Sequence, residues 1–179
     1  MSESAARSAN LLGTVGLAVS DRIRAAGEEE LGLGGSAPVA LVALSTYLAD
    51  QPLDEIARAF GITASAVVRL VDRLERDGLV RRHPGTDGRR VAVRLTPKGE
   101  RRAKAVLARR ERELAEVLSP LSDSERSELT RLHEKLLAEL PDGVPGARRV
   151  CRFCDVHACG HHEGRCPVTQ GIDARGLRA

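Results

Sequence analysis

Four cysteines near the C-terminus are the residues of this 179-residue chain with the clearest capacity for chemistry. Cys151, Cys154, Cys159 and Cys166 lie in the run CRFCDVHACGHHEGRC, and the sequence contains no other cysteine. Four thiolates in one short, polar segment are able to wrap a single metal centre without a preformed core. In a reducing compartment such spacing indicates a metal site rather than two disulfides. The sequence therefore predicts a four-cysteine metal centre.

Two identities of this centre compete. Four thiolates are sufficient for an iron–sulfur cluster, and Pro167 follows the last cysteine, as is common in cluster loops. Tetrahedral zinc accepts four cysteines, or three cysteines and a histidine. The segment lacks the paired Cys-x₂-Cys units of a zinc ribbon. We therefore expect an iron–sulfur cluster, with structural zinc as the alternative and a metal-free thiol redox switch as the third interpretation.

Histidines and arginines surround the cysteines. We expect the three histidines to lie around the centre or in solvent rather than to bind it. The arginines are expected to offset the negative charge of the thiolates and to lower the pKa of the thiols. The histidines are His157, His161 and His162, and the arginines are Arg148, Arg149, Arg152 and Arg165.

A second group of candidate residues lies on a predicted helix-turn-helix. Pro52 opens a short helix that Gly61 ends, and Thr63 is a good N-cap for a second helix that runs to Asp77. Two helices joined by a tight turn are typical of this motif. The second helix has one apolar face, formed by Val67, Leu70, Val71 and Leu74. Its opposite face carries Ser65, Arg69, Asp72, Arg73 and Arg76, which suit a helix laid in the major groove of DNA.

A hairpin follows the two helices. Alternating runs at Leu79–Arg82 and Val91–Leu95 flank the polar turn HPGTDGRR, which predicts two strands and a flexible wing. Arg89 and Arg90 at its tip are placed to enter the narrow minor groove. Asp87 is expected to pair with one of these arginines and to orient its guanidinium.

Charge and composition support a duplex DNA partner. Between Thr63 and Arg102 the chain has eleven basic and five acidic residues. The net charge of this stretch is therefore +6, twice the net charge of +3 of the whole sequence. Only 2% of the residues are aromatic, whereas readers of single strands usually stack bases on aromatic side chains. No grouping of Ser, His and Asp indicates a hydrolase, and no strand of a βαβ unit precedes Cys151 as in thiol oxidoreductases. We expect a protein that is not an enzyme.

The pattern as a whole predicts a mainly α fold in four stretches. Residues 5–50 are expected to form scaffold and dimerisation helices, 51–96 the winged helix-turn-helix, 97–140 further dimerisation helices, and 141–179 a linker and the cysteine-rich tail. Helices are predicted from about Ala5 to Gly27, from a cap at Ser36 to about Ala49, from Thr96 to about Leu118, and from a capping box at Ser122 to Leu140. Without a signal peptide or a spanning segment, we expect a cytoplasmic protein that does not contact the membrane.

The run LDEIARAFGITASAVVRLVDRLERDGLVRRHPGTDGRRVAVRLTPKGE (53–100) resembles the winged helix of MarR-type regulators. The resemblance extends over most of residues 5 to 140. It implies a homodimer on a palindromic operator, with recognition by the helix around Ser65 and Arg69 and a minor-groove role for Arg89, steadied by Asp87. We expect a repressor. The resemblance also implies a small-molecule effector, which the residues do not identify.

The cysteine segment lies outside this family plan and follows the last dimerisation helix after a short linker. Loss or oxidation of the centre is expected to change the angle of that helix. The spacing on DNA of the two winged helix-turn-helix units of the dimer, which we call the reading heads (residues 51–96), would then change as well.

Overall fold

The computed structural model describes residues 2–85 and 90–177, which form eight helices and one antiparallel pair of strands. In chain order the elements are α1 Glu3–Leu31, α2 Ala37–Leu44, α3 Leu53–Phe60, α4 Ala64–Arg76, β1 Val80–Pro84, β2 Val91–Leu95, α5 Pro97–Leu118, α6 Asp123–Glu139, α7 Val144–Cys151 and α8 Pro167–Ala174. The mainly helical fold with a small two-stranded sheet confirms the predicted winged-helix class.

Helix α2 lies at the centre of the core. Its residues Ala40–Leu44 are at most 2% exposed, because the run is almost wholly apolar and packs on all sides. The helix contacts α1, α5 and β2. The same core takes in Ile56 of α3 and the apolar face of α4. The two long helices α1 and α5 therefore share one hydrophobic core with the smaller elements between them.

Ion pairs add to the contact between α1 and α5. The carboxylate of Glu113, which is buried on α5, accepts hydrogen bonds from Arg22 of α1 and from Arg109. Arg109 also lies 3.3 Å from Glu29 of α1. These guanidinium groups, Arg22 first, lower the pKa of Glu113, so that it stays charged in the interface.

Asp50 attaches the hairpin to the rest of the fold. Strands β1 and β2 pair from Val80 opposite Leu95 to Pro84 opposite Val91. Asp50, in the turn before α3, accepts two hydrogen bonds of 2.7 Å from Arg94 of β2 and lies 2.8 Å from Nε2 of His83 of β1. Its backbone N–H also donates to Val93. One carboxylate thus contacts both strands.

A second, smaller apolar cluster lies at the C-terminal end. Val168 and Ile172 of α8 pack against Leu137 of α6. Gly171 of α8 lies directly on the backbone of α6, where any side chain would collide with the carbonyl oxygen of Ala138. Helix α8 therefore folds back on α6 and closes the tail against it.

The structure corrects the sequence in three places. Helix α2 ends at Leu44 rather than near Ala49, because Ser45 and Thr46 bond through their hydroxyls to carbonyls of the preceding turn. Ser36 precedes α2 but makes no side-chain cap hydrogen bond. The predicted linker 141–146 already contains the start of α7 at Val144, and neither α7 nor α8 was expected.

Other predicted elements agree closely with the structure. Thr96 caps α5, and Ser122 and Glu125 form the capping box of α6. Strand β1 is shifted by one to two residues from its predicted position. Across residues 2–85 and 90–177, no helix combines the length and the apolar character that crossing a bilayer requires.

The contact of Asp50 predicts a pH dependence of stability. Arg94, and after it His83, lower the pKa of Asp50, so this carboxylate stabilises the fold above its unfolded pKa of about 3.9. The contribution is lost as pH falls through the lower, folded pKa. Asp50→Asn should lower the melting temperature at pH 7, and the difference from the parent should shrink as pH falls below about 4. Asn tolerates the left-handed backbone of this position (φ 59°), so the comparison isolates the charge. A difference between the two proteins that is constant from pH 7 to pH 3 would contradict it.

Candidate functional site

The helix-turn-helix is formed by α3 and α4 with a turn of three residues between them. Gly61 ends α3 in a left-handed conformation (φ 62°), which a residue with a side chain adopts only at a cost. Thr63 then caps α4, and its hydroxyl accepts a hydrogen bond of 3.2 Å from the N–H of Ala66. The apolar face of α4 is buried through Val67, Val71 and Leu74. This burial fixes which face of α4 turns outward.

The outward face carries the residues predicted to contact DNA. Thr63, Ser65, Arg69 and Arg73 are all exposed. The hydroxyls of Thr63 and Ser65 lie 3.1 Å apart at the start of the helix. Within residues 2–85 and 90–177, Arg69 and Arg73 form no ion pair, so both guanidinium groups are available for a partner.

Two acidic residues of α4 instead bind the wing. Arg82 of β1 donates to Asp72 at 2.6 Å, and a further hydrogen bond joins its guanidinium to Glu75. The backbone N–H of Arg82 also donates to Glu75 at 3.1 Å. The sequence placed Asp72 on the DNA-facing side, and the structure gives it this role of holding the hairpin beside α4.

The tip of the wing is described only in part. Arg90 is exposed, and its guanidinium lies 3.6 Å from Asp54 of α3. Asp87 and Arg89, predicted as an orienting pair for the minor groove, lie outside the described residues.

The four cysteines line one cavity. Its volume is about 1170 Å³, and its wall includes all four thiols, the three histidines of the segment, and Tyr47 from the connection between α2 and α3. Cys166 is buried, and the other three are partly buried. As they stand, no three of the Cys, His, Asp or Glu side chains in the described part of the chain form a metal-binding arrangement. The thiols share a cavity without being drawn together around one point.

Three of the four thiols have raised pKa values in this environment. Burial, and after it the neighbouring thiols Cys166 and Cys159, raise the pKa of Cys151 to about 12. Burial and Cys154 raise the pKa of Cys159 to about 12 as well. The expectation that the flanking arginines lower these pKa values is wrong, because desolvation outweighs them. Burial also raises the pKa of Cys154, and the guanidinium of Arg110 on α5 opposes this by lowering it.

Arg110 is a functional candidate that the sequence did not reveal. Its Nε is buried and, within the described residues, has no hydrogen-bond partner. Its guanidinium lies 5.7 Å from the centre of the Phe153 ring, and Cys154 and Asp155 are its electrostatic partners. Burial lowers its pKa. In the sequence it is one of many arginines on a helix, so only the tertiary contact distinguishes it.

The cysteine segment also contacts the helix-turn-helix, which the sequence did not predict. Arg148 of α7 pairs with Glu55 of α3 at 2.6 Å, with both side chains largely buried. The hydroxyl of Tyr47 donates to the carbonyl oxygen of Arg148 at 2.8 Å. The tail therefore packs against the connection between α2 and α3 and against the start of α3.

Comparison with known proteins gives consistent results. The family model described as MarR family matches residues 31–90. The chain is 30% identical over 87 residues to the HTH-type transcriptional repressor YetL of Bacillus subtilis (strain 168), which is 48% of this chain and 52% of YetL. It thus spans about half the length of this curated relative.

Two solved structures are similar over a longer range. A MarR family protein from Bacillus stearothermophilus is 33% identical with a TM-score of 0.65, over 76% of this chain and 95% of that one. The Mycobacterium tuberculosis MarR family protein Rv2887, in complex with DNA, is 30% identical with a TM-score of 0.59, over 72% of this chain and 95% of that one. About a quarter of this chain has no counterpart in either structure.

The cap of α4 gives a prediction that needs no ligand. Thr63→Ala removes the side-chain acceptor for the N–H of Ala66 and should destabilise the protein by about 1 kcal/mol. Ser65→Ala is the matched control, because among the described residues the hydrogen-bond partner of this exposed hydroxyl is Thr63. Urea unfolding of both variants measures the difference. Equal stability of the two variants would show that Thr63 does not hold the start of α4.

Proposed function

This chain belongs to the MarR family, whose members are transcriptional regulators rather than enzymes, and we propose that it is a repressor that binds a palindromic operator in duplex DNA as a homodimer. The observation that carries the proposal is the exposed face of α4, held beside a basic hairpin, with two arginines that form no ion pair within residues 2–85 and 90–177. Such a regulator works in the cytoplasm. The relative YetL, a transcriptional repressor, and the complex of Rv2887 with DNA support the same function for this chain.

Helix α4 is the proposed recognition helix. Thr63 and Ser65 stand where the first free N–H groups of the helix are able to hold a phosphate. Arg69 and Arg73 lie one and two turns further along, where guanidinium groups reach base edges in a major groove. Because Val67, Val71 and Leu74 anchor the opposite face in the core, these four side chains keep a fixed orientation.

The hairpin is the proposed second contact. Arg82 holds β1 against α4 through Asp72 and Glu75, so a helix in the major groove brings the wing towards the adjacent minor groove. We assign the minor-groove contact to Arg89, with Asp87 orienting it, and a neighbouring phosphate contact to Arg90.

Exposed apolar residues on the long helices support a homodimer. Leu11, Leu12 and Val15 of α1 are 46–56% exposed, and Leu132 and Leu136 of α6 are 42% and 45% exposed. Stripes of this kind at two ends of one chain indicate a surface that a second copy covers. A two-fold pair would then present two α4 helices to two half-sites of a palindrome.

Removal of one arginine tests the assignment to DNA. Arg69→Ala and Arg73→Ala should each weaken binding to an operator, selected by the parent protein from random duplexes, by about 5- to 150-fold. Arg131→Ala is the control, because Arg131 is exposed on α6 and its ion-pair partner in the described part of the chain is Glu128. Fluorescence anisotropy measures the affinity, and sedimentation confirms that all variants remain dimers. If both α4 variants bind like the parent, α4 is not the recognition helix.

We further propose that Cys151, Cys154, Cys159 and Cys166 bind one metal centre that modulates operator binding. Three features support it: the four thiols share a cavity, they are the only cysteines of the chain, and the partly buried cation Arg110 acts on Cys154. Metal binding would draw the thiols together and release their protons. We favour an iron–sulfur cluster, with structural zinc or a metal-free thiol switch as the alternatives. The effector, if a separate small molecule acts as well, has the same cavity available.

Anaerobic purification tests the centre. The parent protein should be brown with visible absorption and contain iron and sulfide, whereas a colourless protein with one zinc per chain would establish the alternative. Cys159→Ser should lose most of the metal, and His162→Ala, the matched control from the same cavity, should keep it. Equal operator affinity of loaded and metal-free protein would contradict a modulating role, and a protein that binds no metal would contradict the centre itself.

A further inference from the structure

Helix α7 lies against the helix-turn-helix at two points. Arg148 pairs with Glu55 in the first turn of α3. The guanidinium of Arg149 lies on Gly61, so close that a Cβ at this position would require the arginine side chain to move. Gly61 belongs to the turn that joins α3 to α4. The position of α7 is therefore linked to the position of both helices of the motif.

The end of α7 that carries the first cysteine is also held in place. Cys151 is the last residue of α7, and the carbonyl of Arg148 is one of the four at the end of a helix that lack a partner within the helix. Tyr47 donates its hydroxyl to this carbonyl at 2.8 Å. Movement of Cys151 would thus be transmitted to Arg148 and to the connection between α2 and α3.

The loop after α7 contacts the long helices on its other side. The ring of Phe153 packs against the main core, and it lies 3.4 Å from the place where a side chain on Gly27 of α1 would begin. Arg110 of α5 lies over the same ring. Residues 148–154 therefore bridge the helix-turn-helix and the helices α1 and α5.

Arg110 brings a positive charge from α5 to the cysteine segment. The Nε of its guanidinium is buried and has no hydrogen-bond partner in the described part of the chain, and Cys154 and Asp155 are the groups that act on its charge. Four thiolates around a metal ion or cluster carry a net negative charge and would stand beside this cation. The loaded centre would therefore add to the counter-charge that Asp155 provides.

We propose that residues 148–154 couple the four-cysteine centre to operator affinity, through contacts of α7 with the helix-turn-helix and through the counter-charge that Arg110 supplies from α5. The inference rests on the proposed function and names its route of regulation. The loaded centre fixes the angle between the reading head and the long helices, and hence the spacing of the two α4 helices on DNA. Loss of the centre releases Cys151 and weakens binding. This route runs through α7 and α3, and it is separate from the route through α6 that the sequence suggested.

Arg148→Gln tests the route. The quantity to measure is the ratio of operator affinities of metal-loaded and metal-free protein, which for coupled sites is typically about 5- to 150-fold. In Arg148→Gln this ratio should fall towards one, while metal content and spectrum stay those of the parent. Arg131→Gln is the matched control: it removes the same charge from α6, and within the described residues this exposed side chain pairs with Glu128 alone. Its ratio should equal that of the parent.

Arg110→Met tests the counter-charge. In the loaded protein, the variant should hold its metal about tenfold less tightly than the parent, and Arg110→Lys should retain most of the affinity. Removal of the guanidinium should lower stability more in the loaded protein than in the metal-free protein, where Asp155 is the acid that acts on it. A purely structural arginine would instead lower stability equally in both forms.

The outcomes distinguish a failure of the proposed function from a failure of the coupling. A protein that binds neither operator nor metal would defeat the proposed function, and the coupling with it. A loaded protein that binds its operator, and whose ratio is unchanged in Arg148→Gln, would overturn the coupling alone. Arg110→Met that destabilises the loaded and the metal-free protein equally would overturn the role of Arg110.

Discussion

The burial of α2 is the interaction on which the rest of the structure depends. This short, almost wholly apolar helix contacts α1 and α5 on one side and the hairpin on the other, and it shares its core with α3 and α4. Because protein interiors are close-packed, the helix-turn-helix cannot turn freely relative to the long helices. Only small displacements at the edges of the helix-turn-helix remain possible. These displacements matter because the two reading heads of a dimer must match two half-sites at once.

The contacts of α7 lie at one such edge. Arg148 and Arg149 reach the first turn and the end of α3, far from the buried face of α4. The wing is held at a different edge, through Asp50 and Arg82. The outward face of α4 is left open by both attachments. The fold therefore separates the surface that meets a partner from the surfaces that set its position.

Capping residues and apolar spacing in the sequence predicted the helix-turn-helix and the start of α6. Thr63 and Gly61 mark the turn, the spacing of Val67, Val71 and Leu74 gives the buried face of α4, and the capping box begins α6 as expected. Helices α7 and α8 are eight residues each and bury too few apolar residues to show a period. The role of Arg110 was beyond prediction for another reason. Its burial comes from a loop more than forty positions away in the chain, and no local pattern encodes such a contact.

The hydroxyl of Tyr47 on the carbonyl of Arg148 has one more consequence. This is the single tyrosine of a chain that contains no tryptophan, so the intrinsic ultraviolet emission of the protein comes from one ring. That ring lines the cavity of the cysteines and touches the end of α7. The molecule thus carries its own optical reporter at the junction between tail and reading head, and undocking of the tail can be followed by fluorescence without any label.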